Sequence, residues 1–346
     1  MSQVFNSAYC TISASSAKSS LDGFLTERKP RPCVQLQTNT GPLYICPAID
    51  DFHHDVELSE INKRGWVLQE RALSRRSIYF TSTQVYWECG RGIHCETLGR
   101  LHNSKAAFLG DAAFPKSALE YYRDGRQLLI QDLYERYSGL AFTMPSDRAV
   151  AILGLQERLA EAFQTQAAYG FFKVYFTRGL LWQRGQPRGM PQIAYPEGRR
   201  VPSWSWFSRE GAIEYMKLKF KKIDWMRDLE NPFTHQRGAD PDKNEGLKNV
   251  GCTSVLTGKA RKINMAQNEV AERIVFDDDG AYEVAQLRCV AIGRDKLTSG
   301  LKDAMIYALV IRQIGNSLEK QRYERVGVAY LRQEHMKDKG SWVDIM

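Results

Sequence analysis

No uninterrupted apolar run of about 18 residues occurs in this 346-residue chain, so no membrane-spanning helix is expected. Cysteine is sparse: seven residues, at 10, 33, 46, 89, 95, 252 and 289, an odd number, widely spread and without a secretory leader before them. That usage argues against a disulfide framework and for free thiols in a reducing, cytoplasmic compartment. Neither sign of charge dominates. Lys and Arg total 48 against 40 Asp and Glu, a net charge of +8. The densest basic run, KLKFKK at Lys217–Lys222, lacks the regular aromatic interleaving of a nucleic-acid platform. It reads as a solvated or strand-edge face, and no nucleic-acid partner is expected. Internal repeats are absent. The hydrophobic share of 43% and charged share of 25% are ordinary for globular chains and leave room for two or three domains.

Several constellations that would name a chemistry are incomplete. DPDKNEG places Asp240, Asp242 and Asn244 as a calcium loop would, but its glycine comes one position late. The twelfth position is Gly251, where a bidentate Glu is needed. CGRGIHC offers Cys89, His94 and Cys95, a spacing that matches no standard zinc site, and His53 and His54 lie in a separate polar segment. Gly90 and Gly92 begin a dinucleotide fingerprint, yet Cys95 stands where its third glycine belongs. There is no P-loop and no Gly-x-Ser-x-Gly elbow. No metal or resident cofactor is therefore expected, and Cys10 and Cys89 read as structural thiols.

What is present falls into three parts: 1–96, mixed helix and strand; 97–200, helical; 201–346, rich in strands. Met1, Val4, Phe5 and Ala8 form one apolar helical face. A helix that starts at residue one suggests that the natural beginning of the chain lies further upstream. AYCTISA reads as a short strand of a parallel sheet. Extended pieces, CVQLQT and LYICPA, lie among Pro30, Pro32, Pro42 and Pro47. A helix over Asn62–Ser74 precedes a hairpin of SIYFT and VYWEC. In the middle part Leu129, Ile130, Leu133, Tyr134 and Tyr137 line one helical face. Ser146 or Asp147, after Pro145, is the expected cap of a helix carrying Ile152, Leu155, Leu159 and Phe163. Residues 183–202, rich in Gly, Pro and Arg, read as a surface loop. In the last part AQLRCVAIG, MIYALVIRQIG and ERVGVAYL are strand-like runs, and Trp204 and Trp206 alternate with serines as if on one side of a strand.

The most informative stretch is RGWVLQERALSRRSIYFTSTQVYWEC, Arg64 to Cys89. On a helix, Trp66, Gln69, Glu70 and Leu73 fall at i, i+3, i+4 and i+7. A carboxylate on that partly buried face must be paired or used. The bland reading is a structural salt bridge from Glu70 to Arg64 or Arg71; the functional one is a reactive carboxylate.

That stretch resembles the R-G/A-W-x-x-Q-E-x-x-L-S-x-R segment of fungal heterokaryon-incompatibility (HET) domains. MSQVFNSAYCTISASSAKSSLDGFLTER is similar to that family's helix and strand ending in T-I-x-A and Gly-Phe-Leu. YERYSGLAFTMPSDRAVAILGL, VPSWSWFS and RYERVGVAYL resemble its downstream elements in the same order. Family members carry two further strands upstream, S-Y-x-W-G and Y-x-W-I-D-x-x-C-I-x-Q, which are not found here. The resemblance therefore implies a HET domain lacking its N-terminal part, or a remnant of one. It implies a fold distantly similar to Toll/interleukin-receptor (TIR) domains, some of which cleave NAD through a glutamate. It implies a cytoplasmic role in non-self recognition and programmed cell death, with protein partners or self-association. By the same analogy Glu70 is the candidate catalytic carboxylate, Trp66 a pocket wall and Gln69 a group that binds a ribose hydroxyl or orients the carboxylate, with NAD as substrate. The alternatives are a non-enzymatic assembly module and an inactive relic. Packing is the competing role for Trp66, Trp204 and Trp206, a loop-capping bond that for Gln69, and a local ion pair that for Asp147 and Arg148.

Overall fold

The computed structural model describes residues 2–25, 27–28, 30–101, 125–218, 222–233, 252–298, 304–315, 321–336 and 338–346. Residues 219–221 of the KLKFKK run and the whole DPDKNEG segment lie outside the described residues. The fold mixes helices with several sheets and divides into two compact units, Met1–Arg126 and Gln127–Met346.

In the first unit, helix α1 (Ser2–Ser7) leads to strand β1 (Thr11–Ser13). A separate hairpin follows, β2 (Val34–Thr38) and β3 (Gly41–Ile45). Helix α2 (Gly65–Leu73) precedes β4 (Arg76–Phe80), β5 (Val85–Cys89), β6 (Gly92–Cys95) and β7 (Arg100–Leu101). The sheet order is β1-β4-β5-β6-β7; β1 runs parallel to β4, as its apolar run predicts, and the later neighbours are antiparallel. Strand period two points Tyr79, Tyr86, Ile93 and Cys95 to one side, where they bury against Phe52 and Val56. Phe52 meets Tyr79 and Tyr86 edge-on at centroid distances of 5.6 and 5.4 Å.

The sequence argued for free cysteines, and here the structure differs. Cys33 and Cys46 form a disulfide. The pairing Val34↔Ile45 puts both cysteines at the next rung of the hairpin, with their Cα atoms 4.5 Å apart. That is the spacing of a non-hydrogen-bonded antiparallel pair. The other five cysteines are free thiols.

In the second unit, helix α3 (Arg126–Ser138) buries Leu129, Ile130, Leu133, Tyr134 and Tyr137, the face its periodicity predicts. The expected cap is displaced: Pro145–Ala149 forms a 3₁₀ turn of its own, and the following helix, α4 (Leu153–Ala162), has Ile152 at its N-cap. Proline restricts the turn that follows it, so Ser146 and Asp147 sit inside that turn, one short element before the helix. Two small pairs follow, β8 (Ala167–Ala168) with β9 (Phe171–Phe172), and β10 (Trp182–Arg184) with β11 (Ile213–Tyr215).

Trp204 and Trp206 do not lie on a strand. They flank Ser205, whose hydroxyl accepts the Phe207 N–H at 3.1 Å and starts a 3₁₀ turn over Trp206–Ser208. Both rings are fully buried. Trp206 packs on Tyr134 and Tyr137 of α3, so packing against the helices does hold, reached by a turn. Its Nε1 donates to Gly170 O at 3.0 Å. Gly170 has φ +78°, and a Cβ there would lie 2.5 Å from Trp206 Nε1. Residues 183–202 are only partly a surface loop, since Met190 and Ile193 within them are buried.

The remaining strands are β12 (Ile223–Trp225), β13 (Leu256–Lys262), β14 (Ile274–Phe276), β15 (Leu287–Asp295), β16 (Met305–Ile314), β17 (Arg322–Arg332) and β18 (Ser341–Ile345). Their pairings close on themselves through β13, β15, β16, β17, β18 and back to β13. Strands β12 and β14 extend the ring on β15 and β17. Closure removes free edges from the five-strand ring itself and leaves the short β12 and β14 as the outer strands. Leu287, Cys289, Val310, Val326 and Leu331 fill one side of it with Ile263 and Ile274.

Candidate functional site

Helix α2 carries every candidate residue. It starts after the 3₁₀ turn Glu60–Lys63 and ends at Ser74, whose hydroxyl donates to Glu70 O at 2.7 Å and lies 2.7 Å from Thr11 Oγ1. The serine after the helix thus closes α2 and ties it to β1. Leu68, Ala72 and Leu73 bury the inner face.

The three candidates part company on this helix. Gln69 is buried, 3% exposed, whereas Trp66 and Glu70 sit half-buried at the rim of the inner face. Their i, i+4 spacing puts Trp66 and Glu70 side by side along the helix. Desolvation raises the Glu70 carboxyl above its ordinary value, and the charge of Arg64 partly opposes this. Of the two salt-bridge partners expected for Glu70, Arg64 acts on it through space, and Arg71 does not act on it at all. Adjacent helical residues diverge by about 100°, and Arg71 turns inward.

There Arg71 meets Glu88. Its Nε donates to Glu88 Oε2 at 2.9 Å and its Nη2 to Oε1 at 2.8 Å, while the Tyr79 hydroxyl donates to Oε2 at 2.6 Å. Glu57 Oε1 stands 3.8 Å from Nη2. The guanidinium lies against the rings of Phe52 and Tyr79, 5.3 and 5.4 Å from their centroids. Burial works against the charge of Arg71, but Glu88, Tyr79 and Glu57 outweigh it and raise its pKa. This buried pair is absent from the sequence reading. A signal was there: Tyr86 and Glu88 share the inward face of β5, so the strand period puts a carboxylate in the core.

A second polar cluster surrounds Gln84, which is 1% exposed. Its Nε2 donates to Ile49 O, Asp50 Oδ1 and Tyr86 OH, each at 2.9 Å. Thr97 Oγ1 donates to Asp50 Oδ1 at 2.7 Å, and Tyr86 OH donates to Asp55 Oδ2 at 2.9 Å. Hydrogen bonds from Gln84 and then Thr97 hold the Asp50 carboxyl below its ordinary value. Gln84 and Thr97, with Arg28, Arg31, Cys33 and Cys46, line a cavity of about 580 Å³, and Glu70 is not among its lining residues.

His94 and Cys95 are neighbours on β6, so their side chains point to opposite faces and cannot share a metal. Among the described residues, no three His, Cys, Asp or Glu side chains converge on a metal site. No helix among them is long and apolar enough to cross a membrane. Comparison with known proteins adds nothing to this geometry: no family model matches the chain, and neither a curated protein nor a solved structure does.

Proposed function

We propose that this chain acts in the cytoplasm in non-self recognition and programmed cell death, as a heterokaryon-incompatibility-type protein whose first unit is a TIR-like remnant, and that Glu70 is its reactive carboxylate toward NAD. The resemblance of the ordered motifs supports the class. One observation supports Glu70: its motif neighbours Gln69, Arg71, Leu73 and Ser74 are buried in the fold, while Glu70 is half-buried at the rim with a raised pKa. In the reaction the bond between nicotinamide nitrogen and ribose C1′ breaks, and its electron pair leaves with nicotinamide. Water then adds to C1′ and loses a proton. Glu70 stabilises the oxocarbenium-like charge between those events, as carboxylates do in glycoside cleavage, and Trp66 beside it walls the site. Gln69, buried one residue before Glu70, is the group that binds a ribose hydroxyl or orients the carboxylate.

The test is nicotinamide release from NAD by the purified chain, beside Glu70→Gln and Trp66→Ala variants checked for folding by thermal melting. Release by the wild type that falls at least 100-fold in Glu70→Gln, with a Tm no lower than that of the wild type, supports the assignment. No release by folded wild-type protein overturns it.

A second reading, a non-enzymatic assembly module, has its own observation. Val34, Leu36, Leu43 and Ile45 share one face of the β2–β3 hairpin and are 62, 45, 52 and 53% exposed. An apolar face left in water suits a protein partner or a second copy of the chain. Under this reading Glu70→Gln leaves cell death intact, and Leu36→Lys with Leu43→Lys abolishes it.

A further inference from the structure

We propose that the Cys33–Cys46 disulfide is a reducible clasp, whose reduction frees the β2–β3 hairpin and opens the polar cavity that the two cysteines help to line, while the five-stranded sheet stays folded. The inference is independent of any reaction at Glu70.

The hairpin has little else to hold it. No further strand pairs with β2 or β3 among the described residues. Every residue of β2 and all but Gly41 of β3 are exposed. A lone two-stranded hairpin is marginal in water, because it buries too little apolar surface to offset the ordering of its backbone. The covalent link at its open end supplies the missing constraint by shortening the unfolded loop.

The two sides of the clasp are anchored unequally. Beyond Cys46 the chain reaches Ile49 and Asp50 within four residues, and both are gripped by buried Gln84. Before Cys33 it reaches Arg28, which holds Glu96 through an ion pair whose side chains are 38 and 48% exposed. Such a surface pair contributes little. With the disulfide intact, the Arg28–Cys33 side is fastened to the anchored side. Once it is cut, that side swings away, taking Arg28, Arg31 and Cys33 from the wall of the cavity of about 580 Å³. The Oε1 of Gln84, buried and without a hydrogen-bond partner, is then reached by water.

The chemistry selects this pair of cysteines. Both are exposed, so an attacking thiolate can reach either sulfur. Cys95, in the same unit, is buried and pushed up to about 11 by desolvation and by Asp50, which keeps it a thiol. A small dithiol is the reductant. One of its thiolates attacks a cystine sulfur, the S–S bond breaks, and the other cysteine leaves as a thiolate. The second thiol of the reductant then attacks the mixed disulfide. Two electrons pass to the cystine, the reductant becomes a cyclic disulfide, and two protons complete the thiols of Cys33 and Cys46.

Hydrogen exchange by mass spectrometry tests this on the full chain in three forms: oxidised, reduced with dithiothreitol, and Cys33→Ser/Cys46→Ser. Maleimide labelling counts thiols in each. The expected result is exchange at least tenfold faster across residues 34–45 in both the reduced and the double-variant protein, with residues 76–95 unchanged and two additional thiols labelled on reduction. Equal exchange in all three forms overturns the clasp. So does labelling of Cys33 and Cys46 in protein purified without reductant, and so does loosening of residues 76–95 together with the hairpin, which would make the link a staple of the whole unit.

Discussion

Two arginines lie fully buried against carboxylates, one in each unit, and they are satisfied differently. Arg325 is saturated. Its Nε and Nη2 reach Asp277 at 2.9 and 3.1 Å, its Nη1 reaches Leu180 O at 2.8 Å, and its Nη2 also reaches Trp182 O at 2.5 Å. The guanidinium stacks 3.3 Å from the Trp182 centroid, and both charged groups are 0% exposed. Arg71 has the opposite balance: Glu88, Glu57 and Tyr79 crowd one guanidinium, while its Nη1 is left without a partner. Burial lowers the pKa of Arg325, whereas the surrounding acidic groups raise that of Arg71. One site is rich in acceptors that fix a cation in a turn of chain; the other is rich in negative charge and keeps an idle donor. A buried pair with every donor used is specific to one geometry, while an incompletely used pair tolerates adjustment.

The largest effect should follow from Arg325→Met, which removes the guanidinium that pairs with Asp277 in the core. A loss of about 3–5 kcal/mol in denaturant unfolding is expected, the range for breaking a buried pair. Glu88→Gln should cost less, about 2–4 kcal/mol, because Glu57 remains beside Arg71 to share its charge. Equal losses would show that the second carboxylate, Glu57, does not matter. Next comes Gly170→Ala, aimed at a third buried arginine. Arg148 donates to Ser138 O and Gly211 O at 3.0 and 2.6 Å and lies over Trp206, with no carboxylate bonded to it, and burial brings its pKa down to about 10. The expected local ion pair with Asp147 gives way to these carbonyls. A methyl at Gly170 pushes the Trp206 ring from beneath that guanidinium and strains a left-handed backbone, for about 1–3 kcal/mol. The smallest change is Glu70→Gln. A carboxyl whose folded pKa is raised favours folding while protonated, and that contribution is lost as pH rises from its unfolded value near 4.5 through the folded one. The amide should therefore melt slightly higher than wild type at pH 7, with the difference vanishing at pH 4. A lower Tm at pH 7 would mean that the carboxylate holds a structural pair.

Much of this architecture was legible because it repeats. The 3.6-residue period gave the buried face of α3, and the 2-residue period with its turn gave β4, β5 and the long strands β15 to β17. What escaped depends on register and on partners distant in sequence. The disulfide became visible only when Val34 was seen to pair with Ile45. Trp204 and Trp206 mimic a strand by alternation, but Ser205 caps a turn instead. Glu70 was rightly placed on a partly buried face, yet its neighbour Arg71 pointed to a partner 17 residues away, which one helix's pattern cannot reveal. The closed ring was hidden for the same reason, since it depends on β18 bridging β13 and β17.

That ring has a consequence for how the protein is made. Its closing strand, Ser341–Ile345, pairs with β13 and β17, and the main-chain N–H of Met346 donates to Tyr323 O at 2.8 Å. None of these pairings can form until residues 341–346 have emerged from the ribosome. The five described strands of the first unit's sheet all precede residue 102 and can pair while synthesis continues. The second unit must wait with β13, β15, β16 and β17 already outside the ribosome and their ring open. A chain stalled before β18 would thus present β13, β15, β16 and β17 with unpaired, apolar edges, which are prone to aggregate.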